Sequence, residues 1–273
     1  MGRGLLWCSL MALAISCSTI EEDRMGCPCM YRIDFSKVDT QIGNLYLWFF
    51  DSKGKPLLMD TLASSEYGDI YEVGLKRGTV GFYVWGNVLE NTLLENQFTS
   101  DPFLRKGGGF RADPLYSYRK SLDTAGEDGS DVVIVRKEYA DLGIILKGGT
   151  GQECGFVVRL DCGTSGRYVD GRFLEEDVSL FAPLAEGDGS CSASFRLMRQ
   201  KSLRELRMSI CREDDLEFCV LDDFPVGELA LASGYDMEAD DLQDITVVAD
   251  ISAGTVVLRT EDWETVIYVD VRL

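Results

Sequence analysis

Apolar residues in this chain recur at every second position, and almost nowhere at the spacing of a helix. Phe156, Val158, Leu160 and Cys162 share one face of a segment whose other face carries Arg159 and Asp161. Leu206, Met208 and Ile210 alternate with Arg207 and Ser209, and Ile245, Val247, Ala249 and Ile251 repeat the pattern. Near the end of the sequence, Ile267, Val269, Val271 and Leu273 oppose Tyr268, Asp270 and Arg272. Only a β-strand sends successive side chains to opposite faces, so each segment buries one side and wets the other. Residues 45–50 and 80–85 are apolar on both faces, which suits central strands with a layer on each side. Turn chemistry separates the strands at residues 51–54, 76–78, 163–166 and 186–189. One short helix is expected at residues 229–233, after Pro225. The class is all-β, built as sandwiches.

The best boundary is the small acidic stretch at residues 123–131, which has no apolar anchor larger than alanine. Residues 97–118, with Gly107, Gly108 and Gly109, read as a long loop of the first domain. An N-terminal sandwich over residues 31–125 and a C-terminal one over residues 130–273 follow. With 45% apolar residues the chain can fill two such cores.

Ahead of both lies an apolar run at residues 5–15, preceded by Arg3 and ended by Ser16 and Cys17. A membrane-spanning helix needs about 20 apolar residues, so this run has the length of a signal-peptide core instead. Cys17, directly after Leu13, Ala14, Ile15 and Ser16, resembles the acylated cysteine of a bacterial lipobox. Residues 1–16 are then a lipoprotein signal peptide, Cys17 the lipidation site and residues 17–30 a tether. An ordinary cleaved signal with a bare Cys17 thiol is the plainer alternative. The net charge of −19 excludes nucleic acid as a partner and opposes docking on anionic lipid. A membrane attachment therefore has to be covalent, through acyl chains.

Nine cysteines occur, and setting aside Cys8 and Cys17 leaves an odd number. Cys211 and Cys219 flank Glu213, Asp214 and Asp215, so they are the candidate disulfide, facing each other across a hairpin. Cys154 and Cys162 lie along one expected strand, about 26 Å apart at ~3.3 Å per residue, and should not bond to each other. At most one or two bridges are expected, the other cysteines serving as small buried apolar residues.

The chain contains no histidine, which excludes Ser-His-Asp and Cys-His catalysis and HExxH metal sites. Ser117 and Lys120 fit Ser-x-x-Lys, but the partner motifs of that chemistry are missing, so the match reads as chance. Cys27, Pro28 and Cys29 lack a second cysteine pair at zinc spacing and read as structural. The doublets Asp214-Asp215, Asp222-Asp223 and Asp240-Asp241 follow no calcium-loop spacing and read as solvated surface. No catalytic residue, metal site or cofactor is expected.

Several segments form an ordered series: Cys17 with Ile20, Glu21, Glu22 and Asp23, then Cys27 and Pro28, then residues 45–54. Residues 81–87, Phe224 to Leu229 by way of Pro225 and Gly227, Leu242-Gln243-Asp244 and Asp262-Trp263-Glu264 complete it. Taken in this order, the segments resemble the FimB-type fimbrillin-associated anchor family. The resemblance implies two tandem transthyretin-like (Ig-like) β-sandwich domains without enzymatic activity. It implies an outer-membrane lipoprotein that holds a fibre on the cell surface, limits its length and takes part in adhesion. Its partners would be other fimbrial subunits, joined by β-strand addition, and the outer membrane through the N-terminal lipid. Thr265, Ile267, Val269, Val271 and Leu273 are the candidate donor strand, the alternative being an ordinary last strand of the chain's own sandwich. Shaft subunits of the family are trimmed at an arginine; anchors keep this region, so no cut is expected at Arg24 or Arg32. The alternative function is a surface glycan-binding lipoprotein of a polysaccharide-uptake system, for which Trp48, Trp85 and Trp263 could form a stacking platform, although core packing is the expected duty of each.

Overall fold

A computed structural model describes residues 27–148, 154–187 and 190–269. The expected signal peptide at residues 1–16, Cys17, Arg24, Val271 and Leu273 lie outside the described residues. The first strands are β1 (Cys29–Asp34), β2 (Leu45–Asp51), β3 (Pro56–Leu62), β4 (Ile70–Leu75), β5 (Thr79–Gly86), β6 (Thr92–Glu95) and β7 (Phe103–Lys106). They are followed by β8 (Tyr116–Asp123), β9 (Asp128–Val132), β10 (Arg136–Lys137), β11 (Tyr139–Lys147), β12 (Phe156–Tyr168), β13 (Phe173–Pro183), β14 (Ala185–Gly187) and β15 (Ser190–Met198). The last are β16 (Arg207–Arg212), β17 (Cys219–Phe224), then helix α1 (Val226–Ala232), β18 (Ile245–Asp250), β19 (Thr255–Arg259) and β20 (Glu264–Tyr268).

These strands form four sheets. The order β4-β1-β9 faces β10-β8-β5-β2-β3, and β14-β15-β11-β18-β19-β20 faces β17-β16-β12-β7-β6, with β13 along the free side of β12. Most neighbours are antiparallel. Two are parallel: β1 with β9, Met30 opposite Asp128, and β11 with β18, Leu142 opposite Ile245.

Each facing pair encloses a core. Ile33, Phe35, Leu47, Phe49, Phe82 and Val84 fill the first, and Ile144, Leu160, Phe195, Met208, Ile210 and Val247 the second. The doubly apolar strands β2 and β5 then have an explanation for their other face. Trp48, Phe50 and Trp85 turn away from the first core and pack against Leu104, Leu115, Val169 and Met198, where the two sandwiches meet. The Trp85 indole N–H donates to the Val169 carbonyl at 3.0 Å across that junction.

Three expectations need correction. Residues 97–118 are not a loop of the first half: β7 lies within them and pairs with β12, placing Phe103 opposite Tyr168 in the second sandwich. The acidic stretch at 123–131 is not the boundary, because β9 extends the β1 sheet and β10 pairs with β8; the switch of sheets comes after Lys137. The sandwiches accordingly interleave, with residues 92–106 in the second and 128–137 in the first. Residues 163–166 are not a turn. They are a bulged stretch inside β12, where its partner changes from β16 to β7. Gly166 is needed there, since an added Cβ would lie 2.2 Å from the Leu104 carbonyl oxygen.

Candidate functional site

Among the described residues, β20 is an edge strand, hydrogen-bonded on one side, to β19. The Val269 amide donates to Gly254 at 3.0 Å, and the Thr260 amide donates to Trp263 at 2.9 Å. Because backbone direction alternates along a strand, Trp263, Thr265, Ile267 and Val269 point their amides and carbonyls at β19. Those of Glu264, Val266 and Tyr268 therefore point to the open edge. Ile267 and Val269 pack partly against the second core, whereas Val266 and Tyr268 are 52% and 84% exposed. The edge thus combines unpaired backbone groups with apolar side chains in water, the features that invite an added strand. In this monomer Thr265, Ile267 and Val269 belong to the chain's own sheet.

The first sandwich guards its edges differently. The Tyr71 hydroxyl donates to Asp60 at 2.8 Å, linking β4 to β3. Tyr118 and Lys120 both donate to Asp131, at 2.5 and 2.6 Å, linking β8 to β9. Burial and the Asp131 charge raise the Tyr118 hydroxyl far above its ordinary pKa, so it stays a donor at any physiological pH. Arg32, on the middle strand β1, pairs with Glu72 at 2.9 Å and sits in backbone bonded on both sides.

At the junction of the sandwiches lies a charge cluster that sequence reasoning missed. Glu138 is fully buried and accepts from Ser117 Oγ at 2.6 Å, Arg136 Nε at 2.7 Å, Arg199 Nε at 3.1 Å and Arg167 Nη1 at 3.2 Å. Arg199 also donates to the carbonyls of Lys137, Met237 and Ala239, tying the connecting segment to the loop after α1. Arg167 donates to the Gly171 carbonyl and stacks on Phe173 at 3.9 Å. Desolvation pulls its pKa down to about 10. An Arg-Lys-Glu run reads as surface in a sequence, and no periodicity marks Glu138 for burial.

Ser117 and Lys120 are not brought together: Ser117 binds Glu138 and Lys120 binds Asp131. The acidic doublets serve local structure, Asp214 pairing with Arg212 at 2.6 Å and Asp223 with Arg207 at 3.4 Å. Among the described residues, no group of three acidic or cysteine side chains is placed to hold a metal. Trp48 and Trp85 are buried at the junction and Trp263 packs against the second core, so none forms a surface platform. Cys211 and Cys219 are bridged across the β16–β17 hairpin, Cα atoms 3.8 Å apart. Cys154 is bridged to Cys191 on β15, a pairing that strand pattern alone does not reveal. Cys162 is free and buried, its pKa pushed up to about 11 by desolvation.

The family model for fimbrillin-A associated anchor proteins Mfa1 and Mfa2 matches residues 24–269. No curated protein matches the chain. Among solved structures, the fimbrial anchor protein Mfa2 from Porphyromonas gingivalis superposes with a TM-score of 0.66 at 14% identity, covering 87% of this chain and 99% of that one. A candidate polysaccharide-binding protein from Bacteroides thetaiotaomicron gives 0.66 at 14% identity, covering 88% and 98%. A candidate adhesin from the same organism gives 0.61 at 13% identity, again over 88% and 98%. At such identities the likeness is one of fold.

Proposed function

The chain belongs to the fimbrillin-A associated anchor family, matched over residues 24–269, and from that premise we propose that it is a lipid-tethered surface protein acting as an anchor or accessory subunit of a fimbrium. The family match carries this reading, and the open edge of β20 gives it a mechanism. A strand from a neighbouring subunit hydrogen-bonds to Glu264, Val266 and Tyr268, and its side chains settle beside the exposed Val266 and Tyr268. The reciprocal event, donation of the segment containing Thr265, Ile267, Val269, Val271 and Leu273, requires the bonds between β19 and β20 to be exchanged for equivalent ones elsewhere. Tethering falls to Cys17, since a chain of charge −19 gains nothing from anionic headgroups. Adhesion and control of fibre length follow from a subunit fixed to the outer membrane at one end and to the fibre at the other. In this reading the protein performs no catalysis.

Two measurements test the reading. Fimbriae sheared from native cells and probed with an antibody to this chain should contain it at the fibre or its base; consistent absence overturns the fimbrial role. Mass spectrometry of the native N-terminus should find an acylated Cys17; a bare thiol on protein released from the membrane overturns the tether. The uptake-system alternative loses its aromatic platform, because Trp48 and Trp85 are buried.

A further inference from the structure

A cleft of about 520 Å³ opens where the β2–β3 turn and strands β5 and β8 of the first sandwich meet the loops before β7 and after β12 of the second. That volume falls in the range of ordinary ligand sites. Most charges along it are already committed. Arg172 bonds Asp170 at 2.6 Å and Asp101 at 2.5 Å and stacks on Tyr168 at 4.3 Å. Lys120 bonds Asp131, and Asp51 accepts the amides of Lys53 and Lys55 in its own turn.

Arg119 is the exception. Its nearest carboxylate is Glu138 at 3.8 Å, and Glu138 is already engaged by Arg136, Arg167 and Arg199. Arg119 makes no hydrogen bond among the described residues. Four guanidinium groups around one carboxylate leave an excess of positive charge, and of the four only Arg119 borders the cleft. Its placement is built into the backbone: at Gly171, with φ of +93°, an added Cβ would sit 1.4 Å from Arg119 Nη1. The cleft also carries hydroxyls without partners. Among the described residues, Ser52, Thr79, Ser100, Ser121 and Tyr83 make no side-chain hydrogen bond, and all five line it.

We propose that this cleft binds an acidic sugar, a uronic-acid unit of a polysaccharide. One uncommitted planar cation surrounded by free hydroxyls matches a ligand with one carboxylate and many hydroxyls. The Arg119 fork takes the carboxylate in a charge-assisted pair. The serine, threonine and tyrosine hydroxyls take the ring hydroxyls, and Asp51 and Asp170 accept from those that donate. Net charge does not forbid an anionic ligand. Charges more than about 8 Å away are screened at physiological salt, and the buried cluster behind Arg119 sets four guanidinium groups against the one carboxylate of Glu138.

Calorimetric titration of the full mature protein with trigalacturonate, maltotriose and a short peptide with a free C-terminal carboxylate tests the assignment. Trigalacturonate should bind, maltotriose should not, and the peptide should bind at least tenfold more weakly than trigalacturonate. Arg119→Gln should weaken trigalacturonate binding at least tenfold, about 1.4 kcal/mol, and Tyr83→Phe about threefold, with melting temperature as the check on folding. Should Arg119→Gln fold poorly, Ser121→Trp fills the cleft from its exposed rim and should abolish binding. The proposal is overturned if trigalacturonate gives no heat, if maltotriose or the peptide binds as tightly, or if neither Arg119→Gln nor Ser121→Trp changes the affinity.

Discussion

Replacing Glu138 by glutamine keeps the shape of the junction and removes the buried carboxylate that Arg167 and Arg199 share. Both arginine side chains are nearly inaccessible, 2% and 4% exposed, so water cannot take the carboxylate's place. Breaking a buried ion pair by deleting one partner costs about 3–5 kcal/mol, because an unpaired charge remains in low dielectric. At ~2–4 °C per kcal/mol for a chain of this size, Glu138→Gln should lower the melting temperature by roughly 6–20 °C. Arg167→Met should cost less, about 1–2 kcal/mol. After it, Glu138 still holds Arg199, Arg136 and Ser117, while methionine retains the apolar contact with Phe173. The double variant should be less destabilised than the sum of the singles, as expected of groups in contact. Urea denaturation of the four proteins followed by circular dichroism supplies the numbers. A Glu138→Gln loss under ~1 kcal/mol, or one smaller than that of Arg167→Met, would refute the view that this carboxylate neutralises the junction.

Opening the Cys154–Cys191 bridge with paired serines frees a loop closed over 37 residues and should cost about 4 kcal/mol, against about 2.5 kcal/mol for the 8-residue separation of Cys211 and Cys219, as urea midpoints would show. At alkaline pH, Tyr67 and Tyr116 should make stability fall. Burial raises both hydroxyls to about 12, so the folded state holds protons that the unfolded chain releases near 10. Their contribution is whole below pH ~10 and disappears as pH climbs through 12, and Tyr67→Phe should flatten that slope in a pH series of thermal melts. Arg167 acts in the opposite direction over the same range, since its folded pKa is lowered to about 10. Val266→Pro removes an amide facing the open edge and none facing β19, so the melting temperature should hardly move while incorporation into fimbriae falls in a complementation assay; unchanged incorporation would count against strand addition at that edge.

Much of the fold could be read from alternation. Val158, Leu160, Met208, Ile210, Val247 and Ala249 are all buried on the sides their spacing assigns. The Asp-Ser-Lys-Gly turn forms as chemistry dictates, Gly54 taking φ of +76° and Asp51 accepting the Lys53 amide. The helix after Pro225 also forms, slightly earlier than spacing suggests, as Val226–Ala232. Alternation marks a strand without naming its neighbour. It could not announce the parallel pairs β1–β9 and β11–β18, nor show that β7 leaves the first half to join β12. Glycine pairs misled in the same way. In Gly163-Thr164-Ser165-Gly166 they mean a bulge, because Glu205 and the Leu104 carbonyl press against the strand where side chains would stand. Of the edge proposed for strand addition, the alternation at residues 265–269 was visible, whereas the open side of β20 is a property of sheet order. The Glu138 cluster and the Arg119 cleft draw on residues far apart in the chain, and local pattern holds no record of them.

The two ends of the described chain answer force in opposite ways. β1 runs parallel to β9 over Met30 to Asp34, so a subunit dragged by its N-terminal end loads that ladder in shear, with its hydrogen bonds resisting together. β19 and β20 form an antiparallel hairpin, and tension on the final segment peels them apart one bond at a time. Mechanical lifetime is set by the rate of unfolding under load. Under the proposed tethering, such a molecule holds firm at the end that would be moored and yields first where a neighbour's strand would be exchanged.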